Sequence, residues 1–120
     1  MKHGRKPSGG RYKKQRKKKL FEKKGQKTKV KLGERKTKLK KIVGGARKII
    51  TLSENTANVI INGKAKKVHI KTVLETPSNR FLARQNILTK GSVIETDIGK
   101  AKITNRPSQE GNVQAVLIKE

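Results

Sequence analysis

Beyond residue 42, apolar and polar positions alternate in short runs closed by turn formers. Residues 57–61 and 66–73 flank Asn62-Gly63, a pair that accepts positive φ and so predicts a tight antiparallel hairpin. In the second run Val68, Ile70, Thr72 and Leu74 fall on one face and Lys67, His69 and Lys71 on the other, which predicts one buried and one basic face. Residues 92–96 form a further run, which turns at Asp97-Ile98-Gly99 and returns over 100–104. The last run, 113–118, is apolar on both faces and is expected inside a sheet or barrel, since such a strand at an open edge would invite aggregation. Residues 46–52, after Gly44-Gly45, predict one more strand. Thr76-Pro77 reads as an N-cap and first helical residue, predicting one or two helical turns over 78–85. Residues 105–112 carry turn formers without periodicity and read as a loop. The fold class expected is therefore mainly β: a small antiparallel barrel-like domain of five or six short strands with at most one short helix.

Charge divides the 120 residues in two. Up to residue 41 there are 20 Lys plus Arg and two acids, Glu22 and Glu34, a net +18; residues 42–120 bring the total to +25. Only seven of the first 41 residues are apolar, too few to offset an ordering cost of about 1–2 kcal/mol per residue. The division expected is a basic extension over 1–41, disordered when free, and a compact β domain over 42–120. Tyr12 and Leu20-Phe21 can pack only against a partner. No apolar run approaches the roughly 20 residues of a membrane span, and Met1-Lys2-His3-Gly4-Arg5 leads into more charge, so a soluble intracellular protein is expected.

Catalytic raw material is scarce. Without Cys there is no thiolate metal site, disulfide or thiol nucleophile. His3 lies in the basic tail, and His69 has no acidic neighbour in sequence to orient it. Glu95 and Asp97 are expected to pair with Lys100 or Lys102 across their hairpin. No phosphate-binding lysine loop or dinucleotide fingerprint occurs. The reading is of a non-enzyme with no cofactor, no metal and no small-molecule substrate.

A polyanion partner fits instead. If half of the 20 bases in the tail met phosphates, log affinity would fall with log salt at a slope of about −7 to −9. Such contacts position a protein but do not read bases. With aromatics at 2% there is no stacking platform for single strands, and no basic recognition helix is evident. Folded RNA is the expected ligand, and a chromatin-like, sequence-independent DNA binder is the alternative. The phosphate contacts expected are Arg5, Lys6, Arg11, Lys13, Lys14, Arg16, Lys17, Lys18 and Lys19, with Ser8, Gly9 and Gly10 allowing close backbone approach and Tyr12 free to stack. Lys23, Lys24, Arg35, Lys36, Lys40 and Lys41 continue the run, and Gly44, Gly45, Arg47 and Lys48 carry it onto the domain.

Arg5-Lys6-Pro7-Ser8-Gly9-Gly10-Arg11, followed by Arg16-Lys17-Lys18-Lys19, Glu22 and Gly25, resembles the N-terminal signature of the archaeal and eukaryotic small-subunit ribosomal protein family S8e. Lys40-Lys41-Ile42-Val43-Gly44-Gly45 with Arg47-Lys48 resembles its second motif, although Ala46 stands where the family usually has Asn. Thr76-Pro77-Ser78-Asn79-Arg80, Ile87-Leu88-Thr89-Lys90-Gly91, Ile94-Glu95-Thr96-Asp97-Ile98-Gly99 and Thr104-Asn105-Arg106-Pro107 are similar to the shorter archaeal branch. The resemblance implies a structural component of the cytoplasmic small ribosomal subunit. Its basic extension would thread into small-subunit rRNA and its β domain would lie nearer the surface, beside neighbouring ribosomal proteins.

Overall fold

In the computed structural model, which describes residues 4–13 and 15–118, strands begin where apolar side chains first find partners. They are β1 (Val30–Leu32), β2 (Lys36–Lys41), β3 (Arg47–Glu54), β4 (Thr56–Ile61) and β5 (Lys64–Glu75). A short helix, α1 (Arg80–Arg84), then precedes β6 (Ile87–Leu88), β7 (Val93–Thr96), β8 (Gly99–Ile103) and β9 (Gln114–Leu117).

Five of these strands close a barrel in the order β4-β5-β7-β8-β9. Asn62-Gly63 is its first turn, with Ile61 opposite Lys64. Three neighbouring pairs and the β8–β9 pair are antiparallel, and β9 closes on β4 in parallel, Val59 opposite Ala115. The apolar run at the C-terminal end thus has a strand on each side. Val59, Ile94, Ala101 and Ala115 are wholly buried in the barrel interior, joined by Ala57, Val68, Ile70 and Ile103. Ala, Val and Ile alone fill it, because a five-stranded interior has no room for larger side chains.

The β5 alternation departs from the expectation after Ile70. Ile70 pairs with Thr96, yet Thr72 pairs with Glu95, so one extra residue, Lys71, is accommodated; a second shift follows between Val73 and Glu75. Each bulge exchanges the faces of the residues beyond it. Val73 is therefore buried, while Thr72 and Leu74 face outward. Asn86, at φ +50°, anchors the distorted stretch by accepting the Val73 N–H on its Oδ1 at 3.2 Å.

The helix is also capped differently from the expectation. Asn79, not Thr76, is the N-cap, its Oδ1 accepting the Phe81 N–H at 2.9 Å. Thr76 is drawn inside, where its hydroxyl lies 3.2 Å from that of Ser92, which in turn lies 2.7 Å from that of Thr89. Asp97 pairs with Lys71 of the neighbouring strand β5 at 3.8 Å, while Glu95 accepts from Thr72 Oγ1 and sits opposite Lys100.

The remaining strands form a second sheet, β2-β3-β1-β6. β1 runs parallel to β3 and antiparallel to β6, with Val30 opposite Leu88. Regular pairing therefore starts at Val30, ahead of the composition break at residue 41. β2 was hidden in that basic stretch because every one of its six residues is exposed, leaving no apolar face to announce a strand. Val30, only 1% exposed, ties the sheet to the barrel core. The long dimension of the chain is 70 Å, and its radius of gyration of 21.4 Å far exceeds the roughly 13–14 Å of a compact chain this long.

Candidate nucleic-acid interface

The basic positions form two runs, one in residues 4–24 and one on the β2–β3 hairpin. The first opens with a tight reversal. Lys6 accepts the Gly9 N–H at 2.9 Å and donates its own N–H to Gly10 at 2.8 Å, and Arg5 bridges Arg11. Pro7 presets the first corner of this turn, and Gly9 supplies the left-handed residue at φ +80° that closes it. Arg5, Lys6 and Arg11 thereby gather on the two arms, with Ser8 exposed at the bend. Lys6 Nζ stands 5.8 Å from the centroid of the Tyr12 ring, which is 52% exposed and carries the cation on its face. Lys13 follows, exposed; Lys14 and His3 lie outside the described residues.

Farther along, Glu22 organises the densest charge. Arg16 donates to both of its carboxylate oxygens, at 2.6 and 3.1 Å, and the Lys19 N–H adds a third bond at 2.9 Å across a single 3-10 turn (Leu20–Glu22). The Arg16 guanidinium, and after it the Lys19 amide, hold the Glu22 carboxyl below its usual range. One acid thus fixes the backbone on which Lys17, Lys18, Lys19, Lys23 and Lys24 are exposed. Leu20 and Phe21 are left 84% and 80% exposed, with Lys19 Nζ 6.0 Å from the Phe21 ring centroid.

The hairpin is the second run. Lys40 faces Lys48 and Lys41 faces Arg47, like charges directly opposite one another, which cost stability unless an anion lies between them. Lys36 and Lys38 extend the stripe; Lys38 was overlooked by motif reading, although it alternates with Lys36 and Lys40 in a legible period of two. The reversal runs through Val43-Gly44-Gly45, closed by the Ile42 N–H donating to Ala46 at 2.9 Å. Gly44 and Gly45 sit at φ +85° and +79°, with no atom within 4 Å of where a Cβ would stand. The glycines therefore serve the backbone path and not packing, and they leave a bare main chain at the tip beside Val43, which is 100% exposed.

Besides Arg16, two of the basic residues expected to meet phosphate are engaged by the fold. Arg35 Nε lies 3.4 Å from buried Glu54, and its guanidinium also reaches the Gly111 carbonyl. Lys48 Nζ donates to Gln109 Oε1 at 2.6 Å. The barrel contributes a smaller basic face, Lys64, Lys66, Lys67, His69 and Lys71, all exposed along β5. Among the described residues no three His, Cys, Asp or Glu gather as metal ligands would, and no helix is long and apolar enough to cross a membrane.

Known proteins resemble the chain over nearly its whole length. The family model described as ribosomal protein S8e matches residues 1–118. The chain is also 40% identical over 116 residues to the small ribosomal subunit protein eS8 of Methanocella arvoryzae, an alignment that covers 95% of this chain and 93% of that protein.

Proposed function

Because the chain belongs to the ribosomal protein S8e family, whose members are structural and not enzymatic constituents of the small ribosomal subunit in the cytoplasm, we propose that it holds folded small-subunit rRNA through phosphate contacts of its basic N-terminal segment and its β2–β3 hairpin. The observation that carries this reading is the excess of cations, 20 bases against two acids up to residue 41, exposed at every described position and continued by Arg47 at the hairpin. The two acids cannot neutralise them, and Glu22 is already committed to Arg16.

The roles divide by position. Arg5, Lys6, Arg11 and Lys13 surround the turn, where Gly9 and Gly10 let the backbone approach a ribose-phosphate chain, and Lys14 adds its charge to the same run. Arg16 braces the following turn while Lys17, Lys18, Lys19, Lys23 and Lys24 neutralise phosphates. Lys36, Lys38, Lys40, Lys41 and Arg47 do the same along the hairpin, with Lys48 and Arg35 supporting it. Unable to read base edges through such contacts, the protein discriminates by the shape of the RNA and by how closely phosphates crowd. The basic segment ahead of β1 follows that surface as it docks, while β1 and β2 are already held in the second sheet.

The test is retention on small subunits across a salt series. Replacing Lys17, Lys18 and Lys19 by Gln should release the protein at lower salt and reduce the log–log slope by about two to three. Unchanged retention would sink the assignment. Duplex DNA competing as well as structured rRNA at matched salt would favour the DNA-binding alternative.

A further inference from the structure

A cleft of about 470 Å³ opens between the segment entering β1, helix α1, strand β6 and the 105–112 loop. Its floor is apolar and rigid: Val30 and Leu88 face each other across the β1–β6 pair, and Ile87 and Pro107 are buried beside them. Leu82 of α1 supplies a half-buried wall. The opposite wall is pinned by the sheet, since the Pro107 carbonyl accepts the Thr51 N–H at 3.3 Å and the Arg106 carbonyl accepts from Gln109 and Glu110.

Four cations belong to the same lining: Lys27, Lys29, Lys90 and Arg106, each exposed, and no acid is among the lining residues. An apolar floor surrounded by positive charge alone is not matched to an apolar peptide, for which the cations would add only a desolvation cost. It fits a nucleotide, with an apolar base face below and a phosphate on either side. A cavity this size admits one nucleoside and excludes a duplex, so the nucleotide must leave its stack to enter.

We propose that this cleft captures a single extruded nucleotide of the bound RNA, the base held against half-buried Leu82 over the closed floor of Val30, Leu88 and Pro107 and its flanking phosphates meeting Lys29, Lys90 and Arg106. The inference rests on the RNA-binding reading and adds to it a contact with a base, which the phosphate-bound hairpin and tail do not provide. The absence of an aromatic side chain from the lining means the base is held by apolar contact and not by stacking.

The experiment uses the full chain and two RNA hairpins, identical except for one bulged 2-aminopurine. The bulged RNA should bind about tenfold tighter, once apolar burial of one base is set against the cost of unstacking it. The fluorophore should brighten on binding, as it leaves its neighbours without gaining an aromatic one. The double variant Lys90→Glu, Arg106→Glu, at exposed positions that spare the fold, should bring the ratio of affinities close to one. Leu82→Glu should do likewise by closing the cleft with an anion. Equal affinities for the two RNAs, or a ratio indifferent to these changes, would overturn the cleft assignment while leaving phosphate binding intact; failure to bind either RNA would overturn both.

Discussion

Arg35 reaches across from the β1–β2 turn to set its Nε 3.4 Å from Glu54 Oε2, a carboxylate whose side chain is only 4% exposed, while the arginine remains 59% exposed. Glu54 also accepts the Thr56 hydroxyl at 2.9 Å where the second sheet passes into the barrel. One basic residue of the run proposed to meet RNA is thus a brace between the two sheets. Replacing it strands a buried carboxylate with a single neutral donor. Arg35→Ala should lower unfolding stability by about 1–3 kcal/mol in urea denaturation. Lys38→Ala, on the exposed strand, should leave stability within about 0.5 kcal/mol of the parent and instead flatten the salt dependence of RNA binding by about 0.7–0.9.

Gly44 and Gly111 should both resist substitution, for different reasons. A methyl at Gly44 meets nothing, but its φ of +85° costs an L-residue about 1–2 kcal/mol. Gly44→Ala should therefore speed amide exchange in β2 and β3 and leave the barrel amides protected. At Gly111 the added Cβ would sit 2.9 Å from Ile49 Cγ2, so Gly111→Ala should displace the 105–112 loop from β3. Chemical shifts of Ile49 and Thr51, whose hydroxyl donates to the Glu110 carbonyl, would report it.

Acid should loosen the 16–22 turn selectively. The Glu22 carboxyl is held below its ordinary range by Arg16 and the Lys19 amide, so the turn is favoured at pH values above the unbound carboxylate range. That preference disappears as pH falls through the lowered value and the carboxyl protonates. In an NMR titration Glu22 should protonate below the ordinary carboxylate range, and the Lys19 amide should follow it; Arg16→Gln should bring Glu22 back toward the usual range. A Glu22 titration unaffected by that change would contradict the bidentate pairing.

Asn105 holds the last loop together. Its Nδ2 donates to Glu110 Oε2 and the Asn112 carbonyl, both at 2.9 Å, and its Oδ1 accepts the Gln114 N–H at 3.0 Å. Asn105→Ala leaves these groups without their shared partner and should cost about 1–3 kcal/mol. Asn105→Asp should not restore stability, since it replaces a donor facing Glu110 with a second negative charge.

These contacts mark where the sequence was legible. The barrel announced itself because Val68 and Ile70 recur at a period of two beside Asn62-Gly63, a local signal that needs no knowledge of neighbours. β2 was not legible, because Lys36–Lys41 is exposed throughout and its strand conformation comes from pairing with β3. The N-cap slipped from Thr76 to Asn79 because a distant hydroxyl, Ser92, claims the threonine. The bulge that brings Val73 inward lies beside a bond from Asn86, which no window around Val73 contains. Among the candidate contacts, the cations of 5–24 were visible as composition. The cleft beside Leu88 was not, since it gathers four separated segments of chain.

The position of β2 at the end of the β2-β3-β1-β6 order also bears on the protein's life before it meets RNA. An open strand edge is a template on which another chain can add. Here Lys36, Lys38, Lys40 and Lys41 crowd that edge, so a second copy arriving in register would bring like charge against like. The charges proposed to meet phosphate therefore also oppose edge-to-edge pairing of two copies.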